Sequence, residues 1–313
     1  MSIIAVVLYL LLGLALIVLG ADSLVDGSSS VARRLKVSEF VIGLTIVGMG
    51  TSAPEMVVSW LGAIKGNSDI ALGNVLGSNI FNTLLILGLT AIILPIGITR
   101  NNKRMDIPMN IFVTAMFIVF GLVDGVLSRV DGALFLAVFA GYMWLSFRNQ
   151  EKHEEDEAEA DDLPVWRAIV MILLGLAGLV VGGHLFVDNA TTLAQAMGVS
   201  DKFIAITLLA GGTSLPELAT CVVAAAKKKG ALALGNIIGS NLFNLLLVVG
   251  GSALIHPLAF GGLSIMDMGV LALSSVALFT SAYIGKKDKI DRLDGSLFLF
   301  IWIVYMTYLV INI

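Results

Sequence analysis

Nineteen residues, VSEFVIGLTIVGMGTSAPE at 37–55, return without a gap as VSDKFIAITLLAGGTSLPE at 199–217. A second block, ALGNVLGSNIFN at 71–82, returns as ALGNIIGSNLFN at 233–244. Both recur at an offset of 162 residues, and so do Val25-Asp26 with Val187-Asp188 and Pro95 with Pro257. The spacing between the two blocks is therefore the same in each half, and the chain is a duplication. Composition limits what a half can become: 58% of the chain is hydrophobic and 13% charged, with mean hydropathy +0.96, against about 25% charged residues in soluble domains. A polytopic membrane protein is the reading that fits.

A crossing needs about 20 mostly apolar residues. Ten segments qualify, at roughly 3–32, 39–64, 70–95, 105–124 and 130–148, then 165–196, 202–226, 231–255, 263–284 and 293–312. The fold class expected is all-α, ten transmembrane helices as two five-helix repeats with discontinuous core helices. Five spans per half is an odd number, so the second half enters the bilayer upside down, as in secondary transporters built from inverted repeats. Basic residues support the count. Sixteen of the nineteen Lys and Arg fall on one set of alternate loops, and only Lys65, Arg129 and Lys202 fall on the other. By the positive-inside rule both termini lie outside the cytoplasm, in a cell membrane protein crossing many times. The N-terminal apolar stretch has no basic leader and reads as a retained first helix.

The domain reading is a first repeat at 1–148, an acidic linker at 149–164 and a second repeat at 165–313. The linker, NQEKHEEDEAEADDLP, carries eight acids and no apolar periodicity. It reads as a solvated cytoplasmic connection, the alternative being a weak cation-sensing segment. The single cysteine, Cys221, permits no intrachain disulfide and reads as a packing residue.

Glu55 and Glu217 sit in apolar surroundings with no basic residue in any span to pair with. A carboxylate in a membrane span faces a cavity and a compensating charge. Two of them, related by the repeat, would meet near the bilayer centre and call for one divalent cation, several monovalent cations, or protons. Thr51 and Glu55 share a helix face at i, i+4, with Ser52 beside them, and Ser78 and Asn82 repeat that spacing. The second half supplies Thr213, Ser214, Glu217, Ser240 and Asn244. All ten donate oxygen, and none is His or Cys, which disfavours zinc and copper. Six to eight oxygen ligands with two carboxylates suit calcium, and sodium takes the same donors.

Pro54 and Pro216 lack an N–H and deprive the carbonyls of Gly50 and Gly212 of their helical partners. Local breaks are expected there, and carbonyls freed at such breaks can join the site. The two GNxxGSN segments are expected to break in the same way, with Gly73, Gly77, Gly235 and Gly239 permitting close packing. Asn74, Asn79, Asn236 and Asn241 are expected to satisfy broken backbone groups, and Asp22, Asp26 and Asp188 to serve as caps or interfacial groups, the alternative being a role in ion entry.

GTSAPE with GNVLGSNIFN, and GTSLPE with GNIIGSNLFN, resemble the alpha repeats of the calcium/cation antiporter superfamily, most of all the prokaryotic sodium/calcium exchangers. The resemblance spans essentially the whole chain. It implies calcium bound by Glu55 and Glu217 with Thr51 and Thr213. It further implies sodium bound by Ser52, Ser78, Ser214 and Ser240 with the carbonyls of Gly48 and Ala210, and Asn82 and Asn244 flanking the centre. Some relatives carry Asp at the position of Asn244. Here both halves carry Asn, which weakens a potassium-cotransport reading.

The expectation is a sodium/calcium antiporter working by alternating access, with calcium exported against an inward sodium gradient and net charge moved. The first and sixth helices would slide against the other eight. It would need no cofactor, transport calcium and sodium, sit as a monomer in the lipid bilayer and bind no nucleic acid. The alternatives are a cation/proton exchanger, since two membrane glutamates carry protons as readily, and a passive cation channel. An enzyme is not expected, because Ser52 has no His or Lys base in reach.

Overall fold

The computed structural model describes residues 3–149, 163–199, 211–284 and 288–312. Eleven helices carry the described chain. They are α1 (Ile3–Leu35), α2 (Glu39–Thr51), α3 (Ala53–Ile64), α4 (Ser68–Ile93), α5 (Asn102–Asp124), α6 (Arg129–Arg148), α7 (Val165–Ala196), α8 (Leu215–Ala226), α9 (Gly230–Ile255), α10 (Ile265–Ile284) and α11 (Arg292–Ile311). Eight of these are long and apolar enough to cross a membrane, or nine if α2 and α3, which meet at a bend of 49°, count together as one span. The helix that would complete a tenth, α8, has 12 residues, and the segment expected to precede it at 202–210 falls outside the described residues. So do Ala210, Lys202 and residues 150–162 of the acidic linker.

The duplication is visible element by element. α3 and α8, and likewise α4 and α9, start and end 162 residues apart. Within α4 and α9 the same six positions, Phe81–Ile86 and Phe243–Val248, widen into a π-helical turn. The two short ladders are exchanged between halves: Ile96–Gly97 pairs antiparallel with Lys289–Ile290, and Val126–Leu127 with Leu258–Ala259. Such reciprocal pairing is what a two-fold axis between the halves produces. A similar brace occurs in each half, though not at equivalent positions: Tyr142 donates its hydroxyl to buried Asp106 and Tyr305 donates to partly buried Asp267, each at 2.8 Å.

Two expectations need correction. The GNxxGSN segments do not break their helices: α4 and α9 run through them and only widen afterwards, at Asn82 and Asn244. The glycines serve packing instead, but on one side. A Cβ at Gly235 would meet the carbonyl of Phe40, and one at Gly239 the backbone of Leu44, whereas Gly73 and Gly77 meet no described atom within 4 Å. The break expected at Pro54 is present, since α2 ends and α3 begins on either side of Ser52, while the chain expected to precede the break at Pro216 lies outside the described residues. At the second proline the carbonyl of Gly212 still accepts from the Leu215 N–H at 3.4 Å.

Burial orders the helices. The most apolar stretch of α9 is 94% buried and that of α4 67%, against 22% for α1 and 28% for α7. The GNxxGSN helices thus form the centre, and α1 and α7 lie outside them. α1 and α7 pack antiparallel along a glycine seam. A Cβ at Gly13 would stand 2.9 Å from the Gly182 carbonyl, one at Gly20 2.8 Å from that of Gly175, and one at Gly27 2.8 Å from that of Ala168. Glycine, with one alanine, lets two backbones approach so closely.

Candidate functional site: a buried pair of glutamates

Each glutamate stands in the first turn of a helix whose start is fixed by proline: Glu55 after Pro54 in α3, Glu217 after Pro216 in α8. Proline has no N–H to lose at that position, and the positive end of the helix dipole favours a carboxylate there. The residues ahead of the two helices have matching backbones, Ser52 at φ −82°, ψ 6° and Ser214 at φ −90°, ψ 7°. The repeat therefore places two carboxylates in equivalent settings, and both are fully buried.

The halves interlock at these groups. Ser52 Oγ donates to Glu217 Oε1 at 2.9 Å, and Ser214 Oγ donates to Glu55 Oε1 at 3.0 Å. Ser78 also donates to Glu55 Oε1, at 3.3 Å. Thr51 and Ser240 stand against the Glu217 carboxylate, and the Ser240 hydroxyl reaches the Gly48 carbonyl at 3.4 Å. The second oxygen of each glutamate, Oε2, accepts no hydrogen bond, and neither do Oδ1 of Asn82 and Oδ1 of Asn244. All four side chains are fully buried. Neither glutamate forms an ion pair with any described residue. Buried acceptors are seldom left without donors, so two carboxylate oxygens and two amide oxygens without one have the chemistry of a cation site. The described residues hold no group of three or more His, Cys, Asp or Glu suited to a metal ion. The remaining donors are hydroxyl and amide oxygens, as a hard cation prefers.

Nine of the ten side chains picked out in the sequence take part in these contacts or carry the unpartnered oxygens. The tenth, Thr213, makes a longer contact, with its hydroxyl 3.4 Å from Asn74 Oδ1. It also lines a cavity of about 200 Å³ with Pro54, Pro216, His184 and Asp188.

The asparagines of GNxxGSN also join the two halves. Asn236 Oδ1 lies 3.1 Å from the Thr51 hydroxyl, across the two halves. Asn79 donates to the Asn241 carbonyl at 3.1 Å, and Asn244 donates to Asn79 Oδ1 at 3.2 Å. Asn74, donating to the Glu55 carbonyl at 3.1 Å, and Asn79, donating to that of Asn241, satisfy backbone groups as expected. Recurrence of the four asparagines in both copies was the available signal; which half each would face was not readable.

A duplicated helical membrane protein that joins two buried carboxylates across its halves, in a setting of oxygen donors alone, is built as an ion carrier. The chain belongs to the sodium/calcium exchanger protein family, whose model matches residues 5–148 and 167–311. It is 31% identical over 342 residues to the sodium/calcium exchanger MaX1 of Methanosarcina acetivorans, covering 96% of this chain and 97% of the relative. It is 39% identical over 267 residues to the inner membrane protein YrbG of Escherichia coli, covering 79% of each. Among solved structures, the sodium-calcium exchanger NCX_Mj matches with a TM-score of 0.85 at 36% identity, covering 98% of this chain and 99% of that one.

Proposed function

We propose that this protein is a secondary antiporter that exchanges sodium for calcium across the membrane by alternating access. The observation that carries the reading is the reciprocal pair, Ser52 to Glu217 and Ser214 to Glu55, which leaves Oε2 of both glutamates without a donor. Calcium, with two charges and a demand for six to eight oxygens, neutralises the pair. Glu55, Glu217, Thr51 and Thr213 are its ligands in this account. Sodium ions take Ser52, Ser78, Ser214 and Ser240 with the Gly48 and Ala210 carbonyls, while Asn82 and Asn244 flank the centre. The bare dianion is costly to enclose, so the empty carrier seldom changes sides, and that penalty couples the two fluxes. With three sodium ions per calcium, each turn moves one charge and responds to voltage by about 2.3 kcal/mol per 100 mV.

The architecture that serves this is ten spans in two inverted repeats, 1–148 and 165–313, joined by a cytoplasmic linker, with both termini outside. Matching elements 162 residues apart and the exchanged ladders support it. α1 and α7, joined along their glycine seam and little buried, form the moving pair. The protein works as a monomer in the cell membrane, and an inward sodium gradient drives calcium out. Calcium uptake into sodium-loaded proteoliposomes tests this: uptake that follows internal sodium is expected, and uptake indifferent to it would reject the proposal.

A further inference from the structure

Asp22 and Asp26 lie one turn apart on one face of α1, and both reach the same ammonium. Lys227 Nζ stands 2.6 Å from Asp22 Oδ1 and 2.8 Å from Asp26 Oδ2, and Lys229 Nζ lies 3.5 Å from Asp26 Oδ1. Lys227 caps the C-terminal end of α8, the helix whose first turn carries Glu217. Burial works against the charge on Lys227, but the hydrogen bonds and charges of Asp22 and Asp26 outweigh it and hold the pKa above the ordinary lysine value. The cluster thus ties the outer helix α1 to the far end of a helix that builds the site.

The repeat places the same parts in the other half. At an offset of 162, Asp26 corresponds to Asp188, Asp22 to His184 and Lys227 to Lys65. Lys65 caps α3, the helix of Glu55, with φ −82° and ψ 1°, against φ −84° and ψ 7° at Lys227. The local backbones match, but Asp188 and Lys65 form no ion pair. Asp188 and His184 instead line the cavity of about 200 Å³ that reaches Thr213 and both prolines. One end is tied by ion pairs, and its equivalent is apart with a cavity beside it.

We propose that Asp22, Asp26 and Lys227 form a releasable latch that closes the ion path on the Lys227 face, and that Asp188 with Lys65 forms the alternate latch when the path changes face. The inference rests on the alternating-access reading above and adds the contact that breaks as another forms. Since α1 and α7 are held together by their glycine seam, moving the pair in one direction parts one latch and brings the other together. The groups are partly exposed, with side chains 28% accessible at Lys227, 52% at Asp22 and 40% at Asp26. Ion pairs so placed are weak enough to open in each cycle.

The test is cross-linking in the full-length protein in proteoliposomes, independent of transport. Cys221 is first replaced by Ser, the residue its counterpart Ser59 already has. Asp26→Cys with Lys227→Cys makes one pair, Lys65→Cys with Asp188→Cys the other, and a third chain carries all four. A short bis-methanethiosulfonate, which forms a reducible disulfide with each cysteine and releases sulfinate, is expected to link each pair when alone. In the chain with four cysteines, linking 26 to 227 should slow the linking of 65 to 188 at least tenfold, and the converse should hold. Both links forming in one molecule at the rates of the single pairs would overturn the latch, as would a 65–188 pair that never links. A companion test uses charge: Lys227→Asp alone should raise the rate of 65–188 linking severalfold, and adding Asp26→Lys should return it. Failure of sodium-driven calcium uptake by the unmodified protein would reject the proposed function and is read separately from the cross-links.

Discussion

Ser52 donates its hydroxyl to Oε1 of Glu217, 165 positions along the chain, at 2.9 Å. Because the chain is duplicated, the contact is returned: Ser214 donates to Glu55. Each half thus holds the carboxylate of the other in place and leaves its Oε2 without a hydrogen-bond donor.

Removing either charge should remove calcium. Glu55→Gln and Glu217→Gln keep shape and burial but leave a divalent ion with one compensating charge. Calcium affinity measured by titration calorimetry in detergent should fall at least about 100-fold, equivalent to ~2.7 kcal/mol, and by similar factors in the two variants. Retained affinity in either one would contradict the shared site.

The serines should matter in parallel. Ser52→Ala and Ser214→Ala each strip a donor from a buried carboxylate oxygen, a loss of about 1–3 kcal/mol. The sodium concentration giving half-maximal exchange should rise in both, by factors within a few-fold of each other. A large effect in one and none in the other would show that the symmetry of the geometry is not functional.

Adding a carboxylate at the centre tests the charge argument from the other direction. Asn244→Asp converts an amide whose Oδ1 has no partner into a third acid. Calcium should bind about tenfold more tightly at alkaline pH, ~1.4 kcal/mol. The gain should fade as pH drops and the new acid is protonated. Affinity unchanged across pH would place Asn244 outside the site.

The glycine seam should be intolerant of side chains. Gly20→Leu puts a Cβ 2.8 Å from the Gly175 carbonyl and forces α1 from α7, at about 1–3 kcal/mol for overpacking. The melting temperature should fall by several degrees. Gly141→Ala, at an exposed helical position with no atom within 4 Å of the added Cβ, should be neutral or stabilising, since alanine is the better helix former.

Much of the fold was legible because duplication writes itself in sequence. Glycine, asparagine, serine, proline and glutamate at fixed offset identified Glu55 and Glu217 as a pair, and low charge content identified the solvent. Pro54 announced the bend at Ser52 because a missing N–H has a local consequence. The π-helical turns at Asn82 and Asn244 were not legible, since their helices are largely buried and the shift in register displaces no clear polar face. Nor was the cross-half contact of Thr51 with Asn236, or the clamp of Asp22 and Asp26 on Lys227. These depend on which helix ends become neighbours, which packing decides. The expected break at GNxxGSN misread the glycines of α9: there they admit the backbone of α2 against an intact helix.

The most direct test of the central claim is calcium uptake by the purified protein in sodium-loaded proteoliposomes, run beside Glu55→Gln and Glu217→Gln. Uptake by the unmodified protein should rise steeply with internal sodium, persist with no pH gradient, and vanish in both variants. Uptake driven by a pH gradient without sodium, or surviving the loss of either glutamate, would contradict the account.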